Sequence, residues 1–197
     1  MEVLWFLNKE CFPESRRANI TNSRDCYGDS YALSIPGRHL RNRAAQVLNI
    51  WGMFRDEDLP FRPHPTDSRG RSFLEQMQHQ CLSENAWFCN MLGIDVGAPL
   101  PPEETRLGFV LQYSEDSAKR LDILRSKTDD AWWEQEVAFF DVPRSRAWIV
   151  VRRVAHTSHH RGQQMAMLRM LGRDVYSNYG PTADTGGKVI YAPAPSQ

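Results

Sequence analysis

Long apolar runs are missing from this chain of 197 residues. The longest, Val3 to Leu7 and Ala147 to Val151, contain only five residues each, whereas a membrane-spanning helix needs about 20. Met1 is followed by Glu2 and a brief apolar patch, without the basic flank and longer apolar stretch of a secretory signal. The sequence therefore predicts a soluble protein located in the cytoplasm, with no membrane partner.

An excess of one charge is also missing. The chain has 24 Lys and Arg residues against 24 Asp and Glu residues, whereas proteins that bind nucleic acids usually present a basic patch or stripe. The arginines near the end of the chain scatter around a predicted helix instead of forming one stripe; they are Arg152, Arg153, Arg161, Arg169 and Arg173. This distribution disfavours binding to nucleic acid.

Cysteine is scarce and shows no recognisable pattern. Cys11, Cys26, Cys81 and Cys89 include no Cys-x-x-Cys pair and no spacing typical of a zinc finger. The spacing argues against a redox motif and against a cysteine metal site. With 41% hydrophobic and 11% aromatic residues, the chain can close a core without disulfides or a structural metal.

Apolar residues recurring at steps of three and four predict four long helices. Ser72 and Glu75 have the spacing of a capping box, which marks the start of the second helix. Proline-rich loops separate the helices, and no strand-like alternation is present, so we expect an all-α four-helix bundle of the up-and-down or crossover kind. The predicted helices cover Arg38 to Asp56, Ser72 to Gly93, Thr105 to Lys127 and Arg144 to Leu171.

The other segments lack a helical period. We expect residues 1–37 to form an irregular N-terminal extension, residues 38–175 the bundle, and residues 176–197 an irregular tail. The stretch from Trp132 to Asp141 fits either an extended segment or an extra turn, and Pro143 is expected to close it. Gly108 weakens the prediction of the third helix, and Gly162 favours close packing of the fourth helix against a neighbour.

Histidines give the strongest chemical signal. His156, His159 and His160 fall within five residues of the fourth predicted helix. Helical residues four apart share a face, so His156 and His160 can direct both imidazoles at one ion, although a pair of His156 and His159 is also geometrically allowed. Gln163 is either a hydrogen-bond partner that fixes an imidazole or a polar neighbour of the site.

A catalytic zinc-type site takes three protein ligands and leaves one position open. His39, His64 and His79 are the candidates for a third ligand, and His79 is preferred because it lies within the body of the second helix. Its helical face is polar, which predicts an open cleft rather than a dry core. Glu75 is explained by the capping box and Glu84 by solvent exposure, so neither is assigned a chemical role.

Two sequence elements carry a resemblance to a known family. The first runs from Arg71 to His79, and the second, 77 residues after His79, is His156-x-x-x-His160-Arg161-Gly162-Gln163 followed by Leu168-Arg169-x-x-Gly172. Together they resemble the DinB/YfiT family of metal-binding four-helix bundles over roughly residues 38–172. The resemblance implies that His79, His156 and His160 form a three-histidine site for zinc, nickel or a related divalent ion.

The resemblance also implies two alternative functions. Some members of that family are thiol S-transferases or isomerases that use low-molecular-weight thiols, so a metal-dependent transferase acting on a small thiol or electrophile is one expectation. The alternative is a non-catalytic metal-binding module of a damage-inducible stress response. Thr157 follows His156 where a His-Glu-x-x-His protease has glutamate, which disfavours protease chemistry. A homodimer is a further expectation, with Trp132, Trp133 and Phe139 as interface candidates.

Overall fold

Four long helices form the described part of the chain. The structure is a computed structural model that describes residues 43–67 and 69–192. The first helix, α1, occupies residues 43–53 within these limits. A short helix, α4, and a two-stranded hairpin precede the last long helix; the bounds are α2 Phe73–Leu92, α3 Arg106–Arg125, α4 Asp130–Glu134, β1 Glu136–Phe139, β2 Val142–Ser145 and α5 Arg146–Met170.

The mostly helical architecture confirms the predicted all-α fold, with the hairpin as an addition to it. The predicted N-terminal extension and the first residues of the first predicted helix lie outside the described residues, so the boundary at residue 38 stays a prediction. None of the helices in the described ranges combines the length and apolar composition that a membrane crossing requires.

Local side-chain caps explain where the helices begin. At α2, the Ser72 hydroxyl accepts from the Glu75 amide at 3.2 Å, while the Glu75 carboxylate accepts from the Ser72 amide at 2.8 Å. Gly93 then ends α2 in the left-handed conformation, at φ 67°. Thr105 caps α3 in the same way as Ser72 caps α2, through a bond from the Gly108 amide at 3.0 Å. The predicted capping box and both bounds of the second helix are confirmed.

The hairpin resolves the segment that the sequence left open between two alternatives. Residues Asp130–Glu134 form a helix and Glu136–Phe139 a strand, which pairs in antiparallel register with Val142–Ser145. Pro143 therefore lies inside a strand instead of closing the segment, and α5 begins two residues later than predicted because Ser145 is its N-cap. A two-residue turn at Phe140 and Asp141 joins the two strands, and Phe140 has a φ angle of 54°.

Two apolar clusters make up the core. One surrounds Trp51, between α1, α2, α3 and α5, and the other contains Phe88 and Trp133 near the hairpin. Trp133 is buried and its indole N–H donates to the Lys127 carbonyl at 2.8 Å, so it is not available for the predicted dimer interface. Phe140, at the hairpin turn, is 73% exposed, and Trp148 at the start of α5 is 39% exposed.

The C-terminal tail packs back on the bundle without regular strands. The Ser177 amide donates to the Ile190 carbonyl, the Ile190 amide donates to the Ser177 hydroxyl, and a 3-10 turn covers Ala183–Thr185. Asp184 in that turn accepts two hydrogen bonds from the Arg169 guanidinium, at 2.8 and 2.7 Å. The tail is thus attached to the last turn of α5 by a bidentate ion pair.

Two helical glycines have opposite environments. A Cβ atom at Gly108 would clash with the backbone carbonyl oxygen of Glu103, so the approach of the preceding loop to α3 requires glycine there. Gly162 is exposed, and a Cβ atom would find no heavy atom within 4 Å. The expected close packing at Gly162 is therefore wrong, because this side of α5 faces solvent.

We expect Gly108→Ala to destabilise the protein by about 1–3 kcal/mol, since the added methyl group forces a backbone shift. Gly162→Ala is the matched control, and it should stabilise by up to about 1 kcal/mol because alanine has the higher helix propensity. Urea unfolding of both variants measures the two free energies. Equal changes in the free energy of unfolding would contradict the finding that Gly108 is crowded and Gly162 is open.

Candidate metal centre

The three predicted histidines meet between α2 and α5. His79 lies on α2, and His156 and His160 lie one turn apart on α5. The ring centroid of His79 is 5.3 Å from that of His156 and 4.8 Å from that of His160, and the latter two are 4.6 Å apart. The helical spacing of four residues thus pairs the two α5 rings, while packing of α2 on α5 supplies the third.

One ligand atom from each ring lies within 4.8 Å of the other two. The Nε2 atoms of His156 and His160 are 3.2 Å apart. His64, a rejected candidate, lies in an exposed loop with its Nδ1 at 3.2 Å from the Thr66 hydroxyl, and His39 is outside the described residues. His159 is exposed at the rim, with its ring centroid 5.1 Å from that of His160.

Burial keeps the rings of this cluster uncharged. Loss of solvent lowers the pKa of His156 to about 3, with Arg153 as the next cause. Loss of solvent likewise lowers the pKa of His160 to about 4, and the nearby ring of His79 adds to the effect. The pKa of His79 is also lowered, by burial first and then by Arg71 and Arg153. At neutral pH all three imidazoles are neutral, which is the form that binds metals.

Gln163 orients one of the rings. The Nδ1 atom of His160 lies 2.9 Å from Oε1 of Gln163. An amide oxygen only accepts hydrogen bonds, so Nδ1 carries the proton and Nε2, which lies 3.2 Å from Nε2 of His156, keeps its lone pair. Of the two interpretations that the sequence left open, the structure supports the one in which Gln163 fixes an imidazole.

Arg153 favours the opposite tautomer at His156, with the proton on Nε2 instead of Nδ1. Its Nη1 atom lies 2.8 Å from His156 Nδ1, and a guanidinium only donates. Nδ1 therefore accepts, and the neutral ring carries its proton on Nε2, toward His160. A cation bound between the rings requires the Nε2 lone pair, so this contact must loosen when His156 becomes a ligand.

A buried ionic network lies beneath the histidines. Glu84 accepts from Arg153 at 3.0 Å, from Arg120 at 3.3 Å and from the Tyr113 hydroxyl at 2.9 Å. Glu84 is only 7% exposed, so the sequence-based explanation by solvent exposure is wrong. Helical periodicity gave no signal for this burial, because the partners that neutralise Glu84 come from α3 and α5 and are distant in sequence.

Aromatic side chains close one side of the cluster. The Trp87 ring stacks on His156, with centroids 5.6 Å apart and planes inclined by 24°. Phe139 of the hairpin packs edge-on against Trp87 at 5.1 Å. The opposite side is an open cleft whose lining is polar, as predicted from the face of His79; it consists of Arg71, His79, Arg152, His156, His159 and His160.

Comparison with known proteins places this arrangement in a family. The model of the DinB family matches residues 38–186 of the chain. Among solved structures, the chain is similar to a DinB-like protein from Bacillus cereus ATCC 10987, with a TM-score of 0.61 and 16% sequence identity. The match covers 72% of this chain and 94% of that one, and at this identity it supports the fold alone. No curated protein matches the chain.

The family match spans most of the chain and includes both helices that carry the histidine cluster. The mostly helical architecture agrees with the fold of the solved DinB-like protein. The chain belongs to the DinB family.

Proposed function

We propose that the chain holds one divalent cation, zinc or nickel, at His79, His156 and His160 and uses it to activate a small nucleophile. A metal-dependent thiol S-transferase, or a related enzyme that attacks an electrophile, is the function that this site supports best. The observation that carries the proposal is the convergence of three neutral imidazoles from two helices, with ligand atoms within 4.8 Å, at the floor of an open cleft.

The donor set fits such a cation. Tetrahedral zinc with bonds of about 2.0–2.1 Å to nitrogen requires ligand atoms about 3.3 Å apart. The Nε2 atoms of His156 and His160, at 3.2 Å, already have that spacing. The ligand atoms of all three histidines lie within 4.8 Å of one another, so binding would require the rings to approach by up to about 1.5 Å. Three nitrogen ligands and an open side are typical of catalytic rather than structural zinc sites.

Three residues beside the histidines support this chemistry or exclude an alternative to it. A divalent ion held by His79, His156 and His160 would keep its charge, because the three ligands are neutral, and would lower the pKa of a thiol or water molecule bound to it. Gln163 holds the His160 ring, and Trp87 shields one face of His156 from solvent. Thr157 donates to the Arg153 carbonyl at 3.1 Å, so the position of the protease glutamate is occupied by a structural hydroxyl.

A non-catalytic metal-binding module remains the second candidate. It is favoured by one observation: among the described residues that line the cleft, none is a carboxylate able to serve as a general base. The cobalt-substituted protein separates the candidates. A change in its absorption when a small thiol is added indicates an exchangeable position and supports the enzyme, whereas a saturated spectrum that ignores thiols supports the module.

We expect purified, untagged protein to contain one divalent ion per chain and His79→Ala or His160→Ala to lose it. Loss of one of three ligands leaves two, which rarely retain a catalytic-type ion. Elemental analysis after dialysis measures the stoichiometry, and His64→Ala in the distant loop is the control. Retention of one ion per chain by His160→Ala, or loss of the ion from the control, would contradict the assignment.

The stability of the metal-free protein should depend on pH. An unfolded histidine takes up its proton near pH 6.5, whereas His160 and His156 in the folded state do so only near 4 and 3. The unfolded state therefore binds more protons as the pH falls below about 6.5, and the native state loses stability. We expect the urea midpoint to fall between pH 7 and 5.

The matched variant for this experiment is His156→Gln combined with His160→Gln. Glutamine does not titrate, so the decrease in the midpoint between pH 7 and 5 should be smaller in the double variant than in the parent. Carboxylates titrate mainly below this range and contribute equally to both proteins. An identical decrease in the two proteins would show that the histidine rings are not held neutral by the fold.

A further inference from the structure

The opening of the histidine cleft is lined by cationic side chains. Arg71 precedes the N-cap of α2, and Arg152 lies one turn before His156 on α5. Both are exposed, and both line the cleft together with the histidines. After burial, Arg71 is the next cause of the lowered pKa of His79, and Arg152 contributes to that of His156. Their charges therefore act on the ring atoms of the site.

Among the arginines of the described residues, these two differ from the others in that their side chains have no partner there. Of the fifteen arginines in the described residues, nine lie within 4.0 Å of a carboxylate. Four more donate to an amide or carbonyl oxygen or stack on an aromatic ring; they are Arg43, Arg144, Arg146 and Arg161. Within residues 43–67 and 69–192, only the side chains of Arg71 and Arg152 have no hydrogen bond, ion pair or aromatic contact, and both border the same cleft.

The two glutamates of α2 nearest to His79 in sequence pair with groups outside the cleft. Glu75 accepts from the Ser72 amide and pairs with Arg62, while Glu84 is enclosed by Arg153 and Arg120. No carboxylate lines the cleft among the described residues. A cation bound by three neutral imidazoles would add to this unbalanced positive charge, which an anionic ligand would neutralise.

We propose that Arg71 and Arg152 form an anion-recognition subsite over the three-histidine centre. The small molecule that occupies the cleft would carry a carboxylate, phosphate or sulfonate for these guanidiniums, in addition to the group that approaches the histidines. Guanidinium groups bind such oxyanions through paired hydrogen bonds. This inference rests on the proposed function, because it assigns the substrate class of the same site.

The test compares two ligands of nearly equal shape, mercaptopropionate and its neutral amide, on cobalt-substituted protein. Both present a thiol to the histidine centre, and only the first carries an anionic group. Titration followed by cobalt absorption gives a dissociation constant for each. We expect the carboxylate to bind about tenfold more tightly than the amide, with a preference that shrinks as salt concentration increases.

Arg71→Gln and Arg152→Gln should each reduce this preference at least threefold while leaving cobalt stoichiometry and affinity for the amide unchanged. Arg69→Gln is the matched control: Arg69 belongs to the same loop as Arg71 but pairs with Asp67 outside the cleft, so the preference should persist. Fluorescence-detected unfolding verifies that each variant is folded.

The outcomes distinguish the two levels of the proposal. Equal binding of the two ligands by protein that holds cobalt, binding of neither, or an unchanged preference in both cleft variants would overturn the anion subsite and leave the metal centre intact. Failure of the parent protein to bind cobalt at all would overturn the metal centre and the subsite with it.

Discussion

Arg153 of α5 occupies a position on which the geometry of the cluster depends. It is only 2% exposed, and it donates to the Gln80 carbonyl and to Glu84, both on α2, at 3.0 Å. Gln80 follows His79 directly, and Arg153 precedes His156 by one turn. The same side chain that joins the helices therefore fixes how His79 lies relative to the two α5 histidines. A second bond, from Gln164 to Gln80 at 2.8 Å, supports this register.

Burying the charged groups of this network is energetically unfavourable, so the network needs an explanation other than stability. Removing charged groups from water costs several kcal/mol per ion, which their mutual attraction repays only with good geometry and further hydrogen bonds. Glu84 meets that condition with two guanidiniums and a tyrosine hydroxyl. An apolar layer of equal volume would stabilise the bundle as well, but it would lack the directional hydrogen bonds from Arg153 on α5 to Gln80 and Glu84 on α2. The network is better explained by the register it imposes than by stability.

The sequence predicted those features that depend on local spacing. The capping box at Ser72, the helix end at Gly93 and the pairing of His156 with His160 are all set by residues within four positions of one another. The structure also brings the ring of His79 beside His156 and His160, because α2 packs against α5; that the three residues bind a metal ion stays a prediction. The burial of Glu84, the hairpin and the exposure of Gly162 were not predicted. Each depends on contacts between segments distant in sequence, which periodicity does not encode.

The contrast between the two sides of the cluster supports a site that acts on a ligand from solution. Behind the rings, Arg153, Gln80 and Glu84 are buried, and Arg153 donates to both of the others, so hydrogen bonds hold α5 against α2 on that side. In front, Arg71 and Arg152 are exposed and bind nothing within the described residues. A purely structural ion would need enclosure by a fourth protein ligand. With an ion at the proposed centre, the buried side would hold the imidazoles, and the open side would leave charge and a coordination position available to the small anionic molecule that we propose.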